Sequence, residues 1–311
     1  MEASQTNNKA GSGGHSSFGE GIPSNPTSRA KENAMRTKKV TTARSVRPNE
    51  GTRLRYQRRL IALIREMADS VEYWVTAQRR SDPPELAEDA LPSVEMRKKY
   101  KQLAFKWQKH FDDMAPKVAD SFLKNQFRGT DSAFRQALRD AGWSIEFHLT
   151  PAMRDAFEAS LSENVGLIRS ISAKYLQEVE GIVMRNYTSG RNLKAMAEEI
   201  QSRFKVTKNR AVLISRDQAN KANATVQKVR KQELDITEAI WMHSHAGKHP
   251  RPTHVAMNGK RYLVSQGMWD SSVQKYVWPG EEIGCRCVDR AVLPWTPAEK
   301  PANPVNTYSG K

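Results

Sequence analysis

Ala239-Ile240-Trp241-Met242-His243-Ser244-His245-Ala246-Gly247-Lys248-His249-Pro250-Arg251-Pro252-Thr253-His254 is the stretch at which this chain stops reading as helix. Ala239–His243 reads as a strand, and Gly247, Pro250 and Pro252 then interrupt any helical run. The region continues through Asn258-Gly259-Lys260-Arg261-Tyr262 and Trp269 to Trp278-Pro279-Gly280-Glu281-Glu282-Ile283-Gly284-Cys285-Arg286-Cys287-Val288. Four of the seven histidines, both cysteines and three of the seven tryptophans fall in it, so a function particular to this protein is expected there. Further apolar pieces at Arg261–Val264, Tyr276–Trp278 and Val288–Leu293, set off by Gly and Pro, predict a small β-rich module over residues 236–296.

Working outward from that module, the upstream pattern is helical. Leu60, Ile64, Met67, Val71, Trp74 and Val75 recur at three- and four-residue steps and lay a stripe on one helix, which Asp82-Pro83-Pro84 breaks. Met96, Tyr100, Leu103, Trp107, Phe111, Met114, Val118 and Phe122 form a second stripe, with a kink or restart expected at Pro116 and a separate short helix at Asp131–Asp140. Thr150-Pro151 opens a third helix carrying Phe157, Leu161, Val165, Ile168, Ile171, Tyr175, Val179 and Ile182. After Gly190 comes a short helix with Leu193, Ala197, Ile200 and Phe204. Val206-Thr207 then reads as a staple and cap for another helix over Lys208–Gln232. Arg216, Asp217, Gln218, Asn220 and Asn223 make this last helix polar on more than one face, which suits either solvent or hydrogen bonding to the module that follows. The fold class expected is α+β. A helical region over 51–150 and a further helical part over 151–235 lead into the module at 236–296, with a polar tail at 297–311.

The 311 residues carry a formal net charge of +16 and a pI near 9.9, a surplus that favours polyanions as partners. Residues 1–50 are poor in large apolar side chains and are expected to be a disordered arm. Its basic residues Arg29, Lys31, Arg36, Lys38, Lys39, Arg44 and Arg47 would contact nucleic-acid phosphates without reading sequence. No apolar run approaches the roughly 20 residues that span a bilayer, and the first residues lack the apolar core of a secretory signal. Two cysteines in a C-x-C pair do not make a disulfide framework and suit a reducing compartment.

The His/Cys constellation has two main physical readings. In one, Cys285, Cys287 and His254 supply three zinc ligands and His245 or His249 the fourth, although C-x-C is not the usual zinc spacing. In the other, Cys packs as a small apolar residue and His254 satisfies a backbone carbonyl. Nucleophilic catalysis by either thiol with His254 as base needs a lowered thiol pKa and an orienting group that sequence does not reveal. No phosphate-binding Gly-rich loop, H-E-x-x-H or G-x-S-x-G occurs.

Arg251-Pro252-Thr253-His254, Asn258-Gly259-Lys260, Trp278-Pro279-Gly280-Glu281 and Cys285-Arg286-Cys287 together resemble the signature of the phage Mu F-like head-morphogenesis proteins. The Arg216-x-Gln218 element leading into the Trp241 strand is similar to that family too, and the resemblance covers roughly residues 160–295. It departs from the pattern at His245–Lys248, where many members carry an Asp. The resemblance implies a structural minor head protein of a tailed phage or prophage, assembled in the host cytoplasm and residing in the virion. It also implies portal and other capsid proteins as partners, non-specific contact with phage DNA, and neither membrane nor small-molecule substrate. The competing classes are a plain nucleic-acid-binding protein and a metal-dependent nuclease or toxin-like enzyme. The tail after Trp295 is expected to be too short for an effector domain.

Overall fold

The computed structural model describes residues 41–81, 92–188, 192–247 and 249–294. The arm up to residue 40, the Asp82-Pro83-Pro84 break and the polar tail lie outside the described residues. Four long helices come first: α1 (Glu50–Ser81), α2 (Pro92–Asp140), α3 (Pro151–Thr188) and α4 (Leu193–Glu233). They are followed by β1 (Glu238–Met242), α5 (Pro252–Met257), β2 (Arg261–Leu263), β3 (Met268–Asp270), β4 (Lys275–Val277) and β5 (Val288–Val292). The architecture is α+β, as the periodicity predicts. Among the described residues no helix is long and apolar enough to cross a membrane.

The stripes pack against one another as their spacing requires. Leu60, Ile64, Met67, Val71 and Val75 of α1, Tyr100, Phe111 and Phe122 of α2, and Ile168, Ile171, Tyr175, Val179 and Ile182 of α3 share one core with Met196, Ile200, Ala211 and Val226 of α4. Tyr56 stacks on Phe122 at 4.1 Å and donates its hydroxyl to Asn164 Oδ1 (3.1 Å). Tyr100 donates to the Leu176 carbonyl (2.7 Å). Burial of both phenols raises their pKa.

Three boundaries differ from the sequence expectation. Helix α2 runs unbroken through Pro116 and through the segment expected as a separate helix, to Asp140. Helix α4 is likewise one 41-residue element. Thr207 is not a cap but a buried helical residue, and the cap is Asn192, whose side chain accepts the Ala195 N–H at 3.0 Å. A local cap signal yields where the apolar face stays in phase and tertiary burial favours continuing the helix.

The third difference lies in the arm. Residues 41–50 are ordered, not part of a disordered segment: Ala43 and Val46 are fully buried with Phe134, Leu138, Trp143, Ile236, Ala291 and Leu293. Ala43 N–H donates to the Ala291 carbonyl (3.0 Å) and Leu293 N–H to that of Thr41 (2.9 Å). Val46 offers its carbonyl to Asn223 Nδ2 (3.0 Å) and Gln227 Nε2 (3.2 Å) of α4. Two small apolar residues suffice to anchor this stretch because its backbone finds partners on both β5 and α4.

In the C-terminal module β1 is central, antiparallel to β2 on one side and β5 on the other, while β3 and β4 form a separate antiparallel pair. The register sets Ala239 opposite both Tyr262 and Ala291, and Trp241 opposite Asp289. Strand β3 was not anticipated, nor was α5, which Pro252 opens at its first turn.

Candidate functional site

Strand β1 sends Trp241 into the centre of the module, fully buried with Ala239, Met257, Tyr262, Val264, Val277, Cys285 and Cys287. The His254 ring, carried on α5, meets the Trp241 ring edge-on at 5.1 Å. His254 Nδ1 points at the two sulfurs, 3.5 Å from Cys285 Sγ and 3.8 Å from Cys287 Sγ. Its other nitrogen, Nε2, lies 3.1 Å from Asp270 Oδ2 on β3. Asp270 is fully buried and is fixed in turn by Ser272, which donates its backbone N–H (2.9 Å) and hydroxyl (2.6 Å) to Oδ1.

The electrostatics follow from these contacts. Burial pushes the Asp270 carboxyl up, but the Ser272 bonds and the facing imidazole outweigh it and hold the group below the usual carboxylate range. Burial pulls His254 down, while Cys285 and Asp270 raise it above its ordinary value. Hydrogen bonding from Cys287, against the opposing cost of burial, pulls Cys285 down to about 4, and Cys287 is pushed correspondingly up.

The polar face of α4 positions this cluster. Asp217 is buried and accepts the Gly284 N–H at 2.8 Å, one residue before Cys285. Lys231, buried on the same helix, is paired with the buried Asp289 of β5, which also accepts the Tyr262 hydroxyl. Gly280, at φ +89°, touches α4 so closely that an added Cβ would sit 3.2 Å from the Asn220 carbonyl and 3.3 Å from the Ala224 methyl. That contact explains a Pro-Gly turn at this point. Of Asp217, Gln218 and Asn223, only Asp217 bonds the module as expected; Gln218 instead joins Asn164 (2.7 Å) and Glu163 (2.9 Å) of α3, and Asn223 joins Thr130 (3.2 Å) of α2 and the Val46 carbonyl (3.0 Å).

The remaining motif residues hold loops. Arg251 donates to the Ile283 carbonyl (2.8 Å) and Arg286 to that of Ala246 (2.6 Å). Asn258 Oδ1 accepts the His243 N–H (2.9 Å), and Gly259 turns the chain at φ +77°. Pro279 is buried, and the neighbouring Trp278 lies under the Lys228 ammonium, 3.4 Å from the ring centre. Arg216, Arg251, Arg286, His243 and His249 line a pocket of about 520 Å³ whose floor contains His254, Cys285 and Cys287. Burial, then Arg286 and Arg53, lower the Arg216 pKa.

His254, Cys285 and Cys287 are therefore brought together, and His245 and His249 are not. His245 is exposed at φ +53° against the His243 ring, and His249 is exposed on the pocket's lining. Of the expected phosphate contacts, Arg29, Lys31, Arg36, Lys38 and Lys39 lie outside the described residues. Arg44 is paired with Asp140 (3.0 Å) and Arg47 is exposed. Sequence reasoning missed Asp270, although Asp270-x-Ser272 is the pattern of a side chain bonding its own backbone two residues on.

Comparison with known proteins agrees with the motif. The family matched over residues 177–290 is described as Phage Mu protein F like protein. That stretch is similar to the Mu F-like family. It spans α4, β1, β2 and the whole His/Cys cluster, so the resemblance read from the motifs holds over that stretch. An uncharacterized protein of Haemophilus influenzae is 31% identical over 144 residues, which are 46% of this chain and 31% of that protein. The chain thus spans about a third of that relative's length. No solved structure gives a significant match.

Proposed function

We propose that this chain is a structural minor head protein of a tailed phage or prophage, acting without catalysis in head morphogenesis at the portal vertex and in contact with the packaged DNA. The Mu F-like match carries the reading, because the motif residues that define it are spent on internal bonds. Arg251, Asn258 and Arg286 satisfy backbone groups, Pro279 is buried, and His254 is held between a carboxylate and two sulfurs. Residues so committed suit a rigid attachment unit. The +16 charge suits a site beside DNA. Tyr73 of α1 and Phe105 of α2, 78% and 72% exposed, give the helical body apolar points at which to dock on another head protein.

The test is mass-spectrometric composition of heads purified with and without the portal gene. The chain is expected at low copy in portal-bearing heads and missing from portal-less ones. Equal abundance in both would remove the portal assignment, and absence from both would overturn the head-protein reading. A nuclease activity lost in His254→Ala would overturn the non-catalytic part.

A further inference from the structure

The geometry points to a tetrahedral zinc site formed by His254 Nδ1, Cys285 Sγ and Cys287 Sγ, with Asp270 as the positioning residue behind the histidine. This inference stands on the cluster alone and is independent of the head-protein reading.

Two observations carry it. The ligand atoms are all buried and lie within 4.8 Å of one another. Zinc bonds of about 2.3 Å to sulfur and about 2.0–2.1 Å to nitrogen in a tetrahedron require an N···S edge of roughly 3.5 Å. The observed edges are 3.5 and 3.8 Å. The second observation is orientation. The Nε2–Asp270 contact at 3.1 Å assigns the ring proton to Nε2, leaving the Nδ1 lone pair aimed at the sulfurs. This carboxylate–histidine arrangement is the usual support of a metal-bound imidazole.

Two thiolates and one Zn²⁺ make a neutral unit, which the interior accepts far more readily than a lone buried thiolate. On binding, six-coordinate hydrated zinc gives up five waters and keeps one at the fourth position, the remaining thiol protons pass to solvent, and no oxidation state changes. The fourth position faces the pocket lined by His243 and Arg286. The ion would tie α5 to the loop before β5, adding to the Arg251–Ile283 bond between them.

Full-length protein purified without chelator should hold about one zinc per chain by mass spectrometry of the metal. Chelator-stripped protein titrated with Co²⁺ should develop thiolate charge-transfer and intense visible bands, the signature of tetrahedral coordination with sulfur. Cys287→Ser and His254→Gln should bring zinc from about one per chain to near zero, while His249→Ala leaves it unchanged. The cobalt titration uses unaltered protein, so it decides even where the variants fail to fold. Folded protein that shows no cobalt bands, a six-coordinate spectrum, or a disulfide between residues 285 and 287 overturns the proposal.

Discussion

Asp289 carries more of the module's attachment than its place in a short strand suggests. It is buried, it pairs with the buried Lys231 of α4, and it accepts the Tyr262 hydroxyl, whose pKa burial and this carboxylate both raise. Removing one partner strands the other charge in the interior. Asp289→Ala should therefore cost about 3–5 kcal/mol in chemical unfolding, whereas Lys231→Met with Asp289→Leu should recover most of it. A single variant within 1 kcal/mol of the parent would contradict this. At the metal cluster, Asp270→Asn should keep the fold and lower zinc affinity roughly 10–100-fold, measured by competition with a chromophoric chelator. Cys285, Cys287 and His254 were legible in the sequence because thiols and imidazoles are scarce and chemically distinctive. Asp270, Lys231 and Asp289 were not. Each looks like an ordinary surface charge until long-range packing buries it, and nothing local announces the partner.

At the scale of elements, the periodic stripes gave the four helices, and the errors lie where a local stop signal met a continuing apolar face. Thr207 and Pro116 are both inside helices for that reason. The Pro-Gly turn is a stronger local constraint, since Gly280 combines positive φ with contact against α4. Gly280→Ala should destabilise by about 1–3 kcal/mol in thermal or urea unfolding, and more than Gly259→Ala, which has nothing near its missing Cβ. The contact between α3 and α4 has a pH signature. Burial pushes Glu163 up, but hydrogen bonds from Lys221 and Gln218 outweigh it and leave the carboxyl below its ordinary value. A depressed carboxylate stabilises the fold above its unfolded pKa, about 4.3, and loses that contribution as pH falls through the folded value. The Tm of Glu163→Gln should therefore fall less steeply on acidification than that of the parent. Parallel curves would remove Glu163 from the account.

For the whole molecule, charge and attachment have to be weighed together. The segment before Thr41 carries Lys9, Arg29, Lys31, Arg36, Lys38 and Lys39, and Arg44 beyond it is already engaged with Asp140. Deleting residues 1–40 should weaken DNA binding and reduce the slope of log affinity against log salt by up to about 5, as loss of six phosphate contacts requires. An unchanged slope would shift DNA binding to the folded body. The ordered stretch 41–50 was misread as arm because its few apolar residues, Ala43 and Val46, are small, and their backbone partners lie 177–248 positions away in α4 and β5. All of this rests on the C-terminal module being one rigid unit with α4, joined through Asp217–Gly284, Lys231–Asp289 and the Gly280 contact. Hydrogen exchange of the full-length protein tests that directly. The account predicts that the backbone amides bonded between β1, β2 and β5, together with the Gly284 N–H, exchange as slowly as those of the central turns of α4. Rapid exchange across 238–292 beside a protected α4 would contradict it.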